Sequence, residues 1–481
     1  MTGDLSPDEL RRLGGDAVER LARYLEGIEN RRVLPTTRPG DVIAQLPPAP
    51  PQEPEDWESI ERDLDGIVEP NLTHWQHPGY LAYFAVTGAV PGVVGEILTA
   101  GYNQIGILWR ASPVLTELEQ VMVRWLVQMV GLPDSFDGQL ADTASTGTIV
   151  ALLAAREQAF PNVRELGLSQ LPQGVVYCSE LAHSSVDKAV VVLGLGLAGL
   201  RKIAVKADHS MDLEALRRAV AEDRAAGYRP IAVVSTIGTT SVASVDPTAA
   251  IAELCERERL WLHVDAAYAG SAAMLPELRH HFAGWERADS VVFNPHKWMF
   301  VPQGCTALLF QRMERVRRAL SVVPHYLETP EGMGGGAREY MDYSLQLGRP
   351  FRALKLWLTI RMFGAEGMRT RLKEHLALAR EFRAALERLP DVELVAPTHF
   401  SLVVFRYAPR ELTPDEADVA NRQILEAINA DGRCFLSHAV VEGRTVLRVA
   451  IGSLRTRRRH LATFLEVFQQ AVRKTRSGGR A

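Results

Sequence analysis

Residues 291–300 read VVFNPHKWMF and place a lysine, Lys297, between a short apolar run and three further large apolar residues. Apolar runs of this length are typical of buried β-strands. Burying an ammonium group without a partner is unfavourable, so a lysine in this position more often extends its side chain to solvent. The alternative is a chemical role for Lys297, and the rest of the sequence decides between the two interpretations.

Similar apolar runs recur along the middle of the chain. They alternate with segments of helical periodicity, such as residues 112–131 and 148–160. Short strands rich in Val and Ile that alternate with helices predict an α/β fold, in which a mostly parallel central sheet has helices on both faces. The predicted strands are GVVYCS (174–179), IAVVST (231–236), LWLHVDAA (260–267), SVVFNP (290–295) and TALLFQ (306–311).

Changes in composition divide the chain into three predicted parts. Residues 1–75 form an N-terminal helical arm, whose helix begins after Ser6, and a connector with five prolines in residues 46–54. Prolines lack the backbone N–H donor, and this density of them favours extended structure. Residues 76–350 form the large domain, and residues 351–481 form a smaller C-terminal α+β domain.

The overall composition excludes several classes of protein. The 481 residues carry a formal net charge of −4, with 47% hydrophobic and 23% charged residues, so neither a nucleic-acid-binding nor a membrane-surface protein is indicated. The first residues lack a signal-peptide pattern and no stretch offers about 18 uninterrupted apolar residues, so we expect a soluble cytoplasmic protein. The four cysteines are too scattered for a zinc site or a CxxC motif, and we expect no metal site.

The glycines of GLGLAG at residues 194–199 match the GxGxxG pattern of dinucleotide-binding proteins. In that fold the glycines follow a strand and open a helix. Here they follow a segment with helical periodicity and precede LRKIAVKAD, which is typical of a strand. The order is reversed, and a nicotinamide-dependent dehydrogenase is therefore disfavoured.

A strand-end carboxylate accompanies the lysine. Asp265, in HVDAAYAG at residues 263–270, follows an apolar strand, and ligands of open α/β sheets bind at the carboxyl ends of the strands. An aspartate that only caps a loop or helix is the alternative. Lys297 and Asp265 together have the chemistry that pyridoxal phosphate requires, since a lysine amine condenses with its aldehyde and an acid pairs with its ring nitrogen.

Several motifs together identify a family resemblance. The chain resembles the pyridoxal-phosphate-dependent group II amino-acid decarboxylases, and most of all the aromatic-L-amino-acid decarboxylase branch. The resemblance implies a fold-type-I enzyme that is a homodimer, with the active site at the subunit interface and the arm packed across the partner. The motifs include THWQHPGYLAYF (73–84), AHSSVDKA (182–189), HVDAAYAG (263–270), FNPHKW (293–298) and LGRPFRALKLW (347–357).

The resemblance also implies roles for individual residues. Lys297 matches the lysine that binds pyridoxal phosphate covalently, Asp265 the partner of the pyridine nitrogen, and His183 the histidine stacked on the ring. Backbone N–H groups at the start of a helix suit a phosphate dianion, which agrees with the place of the phosphate-binding motif in DTASTGTIVALLAAR. The other cofactor-binding positions implied are Ala144, Ser145, Thr240, Ala267, Asn294 and His296.

Tyr326 matches the tyrosine that returns a proton to the substrate carbon after CO₂ leaves. In the family, phenylalanine at this position or asparagine at the position of His183 accompanies oxidative formation of an aldehyde. Both residues of this chain therefore favour simple decarboxylation to an amine. An aldehyde synthase, and a binding protein that has kept the fold without activity, are the alternatives.

The substrate-binding segments depart from the animal pattern. A threonine that contacts the substrate carboxylate there is Val86 here, and IGFSWAASP becomes IGILWRASP at residues 105–113. An aromatic L-amino acid is the favoured substrate. An aliphatic amino acid is an alternative, and so is an acidic one, because Arg110 is a cation. The candidate substrate-binding residues are Trp75, Tyr83, Val86, Thr87, Ile107 and Leu108.

Overall fold

The computed structural model describes residues 4–322, 327–334 and 336–478. Its first helix begins as the sequence predicts, because Ser6 and Glu9 form a reciprocal capping box at its N-terminus. The α-helices are α1 (Pro7–Glu26), α2 (Trp57–Asp63), α3 (Val90–Tyr102), α4 (Pro113–Val130), α5 (Ala144–Ala159), α6 (Val163–Leu166), α7 (Ser185–Val192), α8 (Leu213–Ala225), α9 (Thr248–Glu258), α10 (Pro295–Trp298), α11 (Met313–Leu320), α12 (Pro330–Met333), α13 (Arg352–Leu386), α14 (Pro414–Asp431) and α15 (Arg458–Gly478).

A seven-stranded sheet in the order β1-β7-β6-β5-β4-β2-β3 forms the centre of the molecule. Its strands are β1 (Asp137–Ala141), β2 (Gly174–Ser179), β3 (Leu200–Ile203), β4 (Arg229–Thr236), β5 (Trp261–Asp265), β6 (Ser290–Phe293) and β7 (Thr306–Phe310). Strands β3, β2, β4, β5 and β6 are parallel, whereas β7 runs antiparallel to both β6 and β1. The predicted α/β fold with a mostly parallel central sheet is confirmed.

The sheet register aligns the ends of the strands that carry the candidate residues. Thr236 on β4 pairs with Asp265 on β5, and Asp265 pairs with Val292 on β6. Because these strands are parallel, their carboxyl ends meet at one edge of the sheet. Chain segments that leave β4, β5 and β6 therefore start side by side.

The sequence did not predict strand β1. Its sequence is DGQLA, which lacks the continuous apolar run of the other central strands. Gln139 is nevertheless buried in this strand, and its side-chain amide donates to the carbonyl oxygen of Tyr343 (2.5 Å). A buried polar side chain is tolerated when it is hydrogen-bonded, and a partner so distant in the sequence is invisible to pattern analysis.

A smaller antiparallel sheet lies in the C-terminal part of the chain, in the order β10-β11-β9-β8. Its strands are β8 (Val392–Leu394), β9 (Leu402–Tyr407), β10 (Ser437–Val441) and β11 (Arg444–Ala450). Helices α14 and α15 pack together beside it and share its apolar core. Helices and strands together agree with the α+β character predicted for this part, while the domain boundaries after residues 75 and 350 stay predictions.

Helix α13 connects the two cores. It consists of two helical stretches that meet at a kink at Gly364, which has non-helical backbone angles (φ 68°, ψ 161°). Leu356, before this kink, packs in the core of the large sheet, and Phe382, after it, packs in the core of the small sheet. The same helix therefore contributes to both hydrophobic cores.

None of the helices in residues 4–322, 327–334 and 336–478 combines the length and the apolar character that crossing a bilayer requires.

Candidate active site

A cavity of about 190 Å³ opens at the carboxyl ends of β4, β5 and β6. All the residues predicted to bind the cofactor line this one cavity, although they are spread over more than 150 positions of the chain. They are Ala144, Ser145, His183, Thr240, Asp265, Ala267, Asn294, His296 and Lys297.

Asp265 is the last residue of β5 and is only 5% exposed. One of its carboxylate oxygens, Oδ1, accepts a hydrogen bond from the backbone N–H of Ala267 (3.0 Å). The backbone thus orients the carboxylate at the floor of the cavity. A carboxylate held in this way is suited to accept a proton or to pair with a cationic ring nitrogen.

Lys297 lies on α10, a single turn that begins at Pro295 immediately after β6 and Asn294. Its Nζ is 5.2 Å from the centre of the Phe84 ring. Burial lowers the pKa of Lys297, the nearby carboxylate of Asp265 opposes that change, and the guanidinium of Arg448 adds to it. A lowered pKa increases the fraction of neutral amine, which is the nucleophilic form of lysine.

His183 precedes α7 on another side of the cavity. Its Nδ1 accepts a hydrogen bond from the backbone N–H of Ser185 (3.1 Å), which leaves the ring proton of the neutral imidazole on Nε2. Burial is the main cause that lowers the pKa of His183; Lys297 lowers it further and Asp265 raises it. The imidazole is therefore neutral at pH 7 and can donate a hydrogen bond from Nε2.

The N-terminus of α5 forms the third wall. Thr143 caps the helix by accepting from the N–H of Thr146 (3.3 Å), and Ala144 and Ser145 form the first turn. A Cβ atom added to Gly147 would lie 3.0 Å from a methyl group of Val292 on β6, so glycine allows the helix to pack closely on the sheet. Free N–H groups at the start of a helix form an anion site, which lies within the cavity here.

Two further cofactor-binding candidates are fixed by hydrogen bonds. The Oδ1 atom of Asn294 accepts from the hydroxyl of Thr306 (2.8 Å), which leaves the amide N–H groups of Asn294 available to a ligand. The ring of His296 is buried, and its Nδ1–H donates to the carbonyl oxygen of Cys305 (2.8 Å). Burial lowers the pKa of His296 to about 4, so this imidazole is also neutral at pH 7.

Residues 39–408 match the model of a protein family that is described as the pyridoxal-dependent decarboxylase conserved domain. The chain belongs to this family. The decarboxylase is 38% identical to the aromatic-L-amino-acid decarboxylase of Sus scrofa, over 95% of each chain. It is 36% identical to a phenylacetaldehyde synthase of a Rosa hybrid cultivar, over 99% of this chain and 96% of the relative. Among solved structures, Oryza sativa TDC with PLP and tryptamine is similar with a TM-score of 0.96 at 33% identity, covering 98% of this chain and 99% of the other.

These similarities confirm the fold-type-I architecture and the cofactor, pyridoxal phosphate. The cavity of the decarboxylase fits that group. It offers an amine for the aldehyde, a carboxylate for the ring nitrogen and a helix N-terminus for the phosphate. The buried hydroxyl of Thr236 also lines the cavity and has no hydrogen-bond partner among the described residues, so it remains free to bind a ligand.

The predicted substrate-binding residues of the decarboxylase lie in two irregular segments, 75–87 and 105–110. The ring of Trp75 stacks near that of Tyr83, with ring centres 6.1 Å apart. The hydroxyl of Thr87 is engaged elsewhere, because it donates to the carbonyl of Gly452 and accepts from a backbone N–H of the C-terminal part. Val86, Ile107 and Leu108 are partly buried, and none of the six candidates is among the residues that line the cavity. Their role stays a prediction.

Arg110 forms an ion pair with Glu331 (2.8 Å). The backbone N–H of its neighbour Trp109 donates to Glu339 (2.6 Å), whose other oxygen accepts from the hydroxyl of Thr329 (3.0 Å). These bonds attach the segment at residues 105–110 to the chain beyond residue 328. Arg110 was the reason to consider an acidic amino acid as the substrate. Its guanidinium is already paired with a carboxylate of the same chain. Tyr326, the predicted proton donor, lies outside the described residues.

The sequence missed two aromatic residues of the site. Phe84 and Tyr268 both line the cavity, and their rings stack with centres 3.8 Å apart and planes 14° apart. The hydroxyl of Tyr268 is hydrogen-bonded to that of Ser401 (2.7 Å) in the C-terminal part of the chain. Both aromatics occur within motifs that carry the family resemblance, which was the available signal for them.

Proposed function

We propose that this decarboxylase converts an aromatic L-amino acid, of the tryptophan, tyrosine, phenylalanine or DOPA type, to the corresponding amine and CO₂. The observation that carries the proposal is the single cavity that contains Lys297, Asp265, His183 and the start of α5. The similarity to aromatic-L-amino-acid decarboxylase over nearly the whole chain supports the choice of substrate class.

Pyridoxal phosphate, when bound, supplies the electron sink that makes loss of CO₂ from the α-carbon of an amino acid feasible. Lys297 would hold its aldehyde carbon, Asp265 its ring nitrogen, and the first turn of α5 its phosphate. The lowered pKa of Lys297 favours the neutral amine, which is the form that attacks a carbonyl carbon. The same amine takes up a proton when the amino group of the substrate displaces it.

Asp265 would keep a proton on the pyridine nitrogen. A carboxylate beside a cationic ring nitrogen contributes on the order of 4 kcal/mol at intermediate dielectric, before the unfavourable desolvation is counted. The hydrogen bond from the Ala267 N–H fixes one oxygen of Asp265 and leaves the other for this contact. His183 would cover one face of the ring, exclude water there and donate from Nε2.

Tyr326 is the proposed donor of the proton that replaces CO₂ on the α-carbon. A positioned general acid contributes roughly 10²- to 10⁴-fold to the rate of such a step. In this scheme the remaining polar cofactor-binding residues, Asn294, His296 and Thr240, orient the cofactor and take no proton.

The proposed enzyme is a homodimer with its active sites at the subunit interface. Helix α1 supports this assembly, because none of its residues is buried and Leu10, on its apolar face, is 73% exposed. Helix α3 is similar: Val90, Val94 and Ile97 are each more than 40% exposed. Large apolar side chains exposed along one face of a helix are typical of a protein interface.

The proposed location is the cytoplasm. The proposed partner of the enzyme is its small-molecule substrate, the L-amino acid. The four cysteines, Cys178, Cys255, Cys305 and Cys434, are buried and free, as expected in a reducing compartment. Burial raises the pKa of the Cys178 thiol to about 12, which keeps it protonated and unreactive.

The similarity to phenylacetaldehyde synthase favours a second candidate function, oxidative decarboxylation to an aldehyde. The substitution Tyr326→Phe separates the two. If Tyr326 directs simple decarboxylation, the variant loses most of its amine product and gains aldehyde, ammonia and peroxide. A wild-type enzyme that already consumes oxygen and releases peroxide in proportion to CO₂ would establish the second function instead.

The substrate is identified with a panel of aromatic, aliphatic and acidic L-amino acids, with CO₂, amine, aldehyde and peroxide measured together. We expect CO₂ and amine in equal amounts from at least one aromatic amino acid, and the lowest rates from glutamate and aspartate. Cofactor binding without CO₂ release from any amino acid would contradict the proposed function and identify a binding protein.

A further inference from the structure

Arg448 is a buried cation at the edge of the cavity. It lies on β11 of the small sheet and is 2% exposed. Its guanidinium donates to neutral oxygen atoms, and no carboxylate is bonded to it in the part of the chain that the structure describes. Burial lowers the pKa of Arg448 to about 10. A methionine would fill similar space without an unpaired buried charge, so packing alone does not account for Arg448.

One side of the guanidinium holds the turn that follows β4. Its Nε donates to the carbonyl oxygen of Ser241 (3.1 Å), and a terminal nitrogen donates to the carbonyl oxygen of Thr240. Thr240 lines the cavity. Arg448 therefore fixes the backbone of one of the proposed cofactor-binding residues.

The other side holds the segment before α3. The hydroxyl oxygen of Ser437 accepts from Arg448 (2.6 Å) and also from the backbone N–H of Tyr83 (3.0 Å), and Arg448 donates weakly to the carbonyl of Tyr83 (3.5 Å). Tyr83 has a φ of 48°, a left-handed conformation that is unfavourable for a residue with a large side chain. Bonds to both its N–H and its carbonyl stabilise this conformation, which directs the next residue, Phe84, into the cavity.

Phe84 lies next to two cations. The Nζ of Lys297 is 5.2 Å and the Cζ of Arg448 is 5.4 Å from the centre of its ring. Cations at this distance from an aromatic ring are attracted to its face. Each charge is also within the electrostatic range of the other, which is roughly 10 Å at ordinary ionic strength.

We propose that Arg448 is a positioning residue of the cofactor site: it holds Tyr83 so that Phe84 packs against Lys297, and it keeps a fixed positive charge near the lysine amine. The fixed charge disfavours the ammonium form of Lys297. The inference rests on the proposed function only through the role of Lys297.

The charged and titratable groups around Lys297 come from the end of β5, the segment before α7, α10 and β11. They are Asp265 and, just after it, Tyr268, then His183, His296 and Arg448. Burial raises the pKa of the Tyr268 phenol, which is therefore neutral at pH 7. Asp265 favours the ammonium form, the two histidines are neutral at pH 7, and Arg448 opposes the ammonium form. Without Arg448, only burial opposes the effect of Asp265, and Lys297 keeps its proton to a higher pH.

The first test titrates the visible absorption band of the lysine-bound cofactor in the full-length enzyme. Arg448→Met removes the charge and retains most of the volume, so the midpoint should move up by roughly one pH unit. Arg448→Lys retains the charge but cannot make the same set of hydrogen bonds, so its midpoint should stay near that of the wild type while its kcat falls.

The second test does not depend on the cofactor. The full-length protein is stripped of cofactor and acylated over a range of pH, and labelling of Lys297 is quantified by peptide mass spectrometry. Arg448→Met should shift the labelling midpoint of Lys297 upward, as in the first test. Arg406→Met is the matched control, because Arg406 is equally buried on the neighbouring strand β9 but pairs with Asp418.

Unchanged midpoints in both tests with Arg448→Met would overturn the proposal, and so would equal shifts in Arg448→Lys and Arg448→Met. Arg448→Gln provides the same comparison where Arg448→Met does not fold. A wild type without a visible band would contradict the proposed function of Lys297, whereas the labelling profile would still test Arg448. The two failures are therefore distinguishable.

Discussion

The cofactor end of the cavity and the segments predicted to contact the substrate are held in different ways. Asp265 ends one central strand and Asn294 directly follows another. Both are at most 5% exposed and are fixed by hydrogen bonds. Residues 75–87 and 105–110 have no regular structure, and Tyr83 is 52% exposed. The first region depends on the sheet, whereas in the second only Phe84 lines the cofactor cavity and the predicted substrate-binding side chains do not. Such a division allows substrate choice to vary while the chemistry is kept.

The largest effect is expected for Lys297→Ala, which removes the amine from the cofactor end. The visible absorption band of the bound cofactor and multiple-turnover CO₂ release should both be lost, because no other described residue of the cavity carries an amine. Absorption spectra and a CO₂ assay measure this. Lys373→Ala is the control, since that lysine is half exposed on α13. Normal turnover by Lys297→Ala would contradict the assignment.

A smaller but still large loss is expected for Asp265→Asn. The amide keeps the shape of the side chain but removes the negative charge, so kcat should fall by about 10²- to 10³-fold. Steady-state kinetics measure this, with Asp289→Asn as the control, because Asp289 is paired with Arg315 and lies at the opposite end of the strands. A loss confined to KM would show that the charge of Asp265 is not used in the reaction.

The pH dependence of stability tests the burial of the cofactor end next. The pKa of His296 is about 4 in the folded protein against 6.5 when unfolded. The unfolded chain therefore binds more protons between these values, and the free energy of unfolding decreases as the pH falls from 6.5 to 4, by up to about 3 kcal/mol. Denaturant unfolding at several pH values should give a flatter profile for His296→Gln than for the wild type. The exposed His438→Gln should not change the slope, and parallel profiles for all three proteins would exclude this role of His296.

The smallest effect is expected in the substrate segments. Ile107→Phe should change the ratio of kcat/KM between tryptophan and tyrosine by roughly tenfold, since a change of pocket shape is worth one to three kcal/mol. The absorption band of the cofactor should not change, because Ile107 does not line the cofactor cavity. A change in the absorption band with unchanged selectivity would show that Ile107 acts on the cofactor end and not on the substrate.

The sequence predicted the features that depend on local pattern. The position of Asp265 at a strand end, and of Lys297 just beyond the next strand, follows from apolar runs and their order. The motifs then supplied the remaining cofactor-binding residues, all of which line one cavity.

Features that depend on distant partners could not be predicted. Arg448 is one of many arginines in the chain, and its position beside Phe84 exists only once β11 packs near the cavity. Glu119 lies on the buried face of α4, between Leu115 and Met122, and its carboxylate is paired with Arg349 (2.5 Å), more than 200 positions away in the chain. A buried charge is tolerated when an opposite charge lies next to it. The sequence alone does not show which charged residues are close in space.

Helix α13 packs in both hydrophobic cores, and this affects how a partly unfolded enzyme is degraded. Loss of the small sheet would uncover the last turns of α13, from Leu378 to Leu386, and remove Arg448 from beside Phe84, and loss of the large core would uncover the rest of the helix. Unfolding of either part should therefore destabilise the other, because it exposes apolar surface of the shared helix. A cell that degrades this protein is then expected to remove it whole, without leaving a fragment that sequesters pyridoxal phosphate.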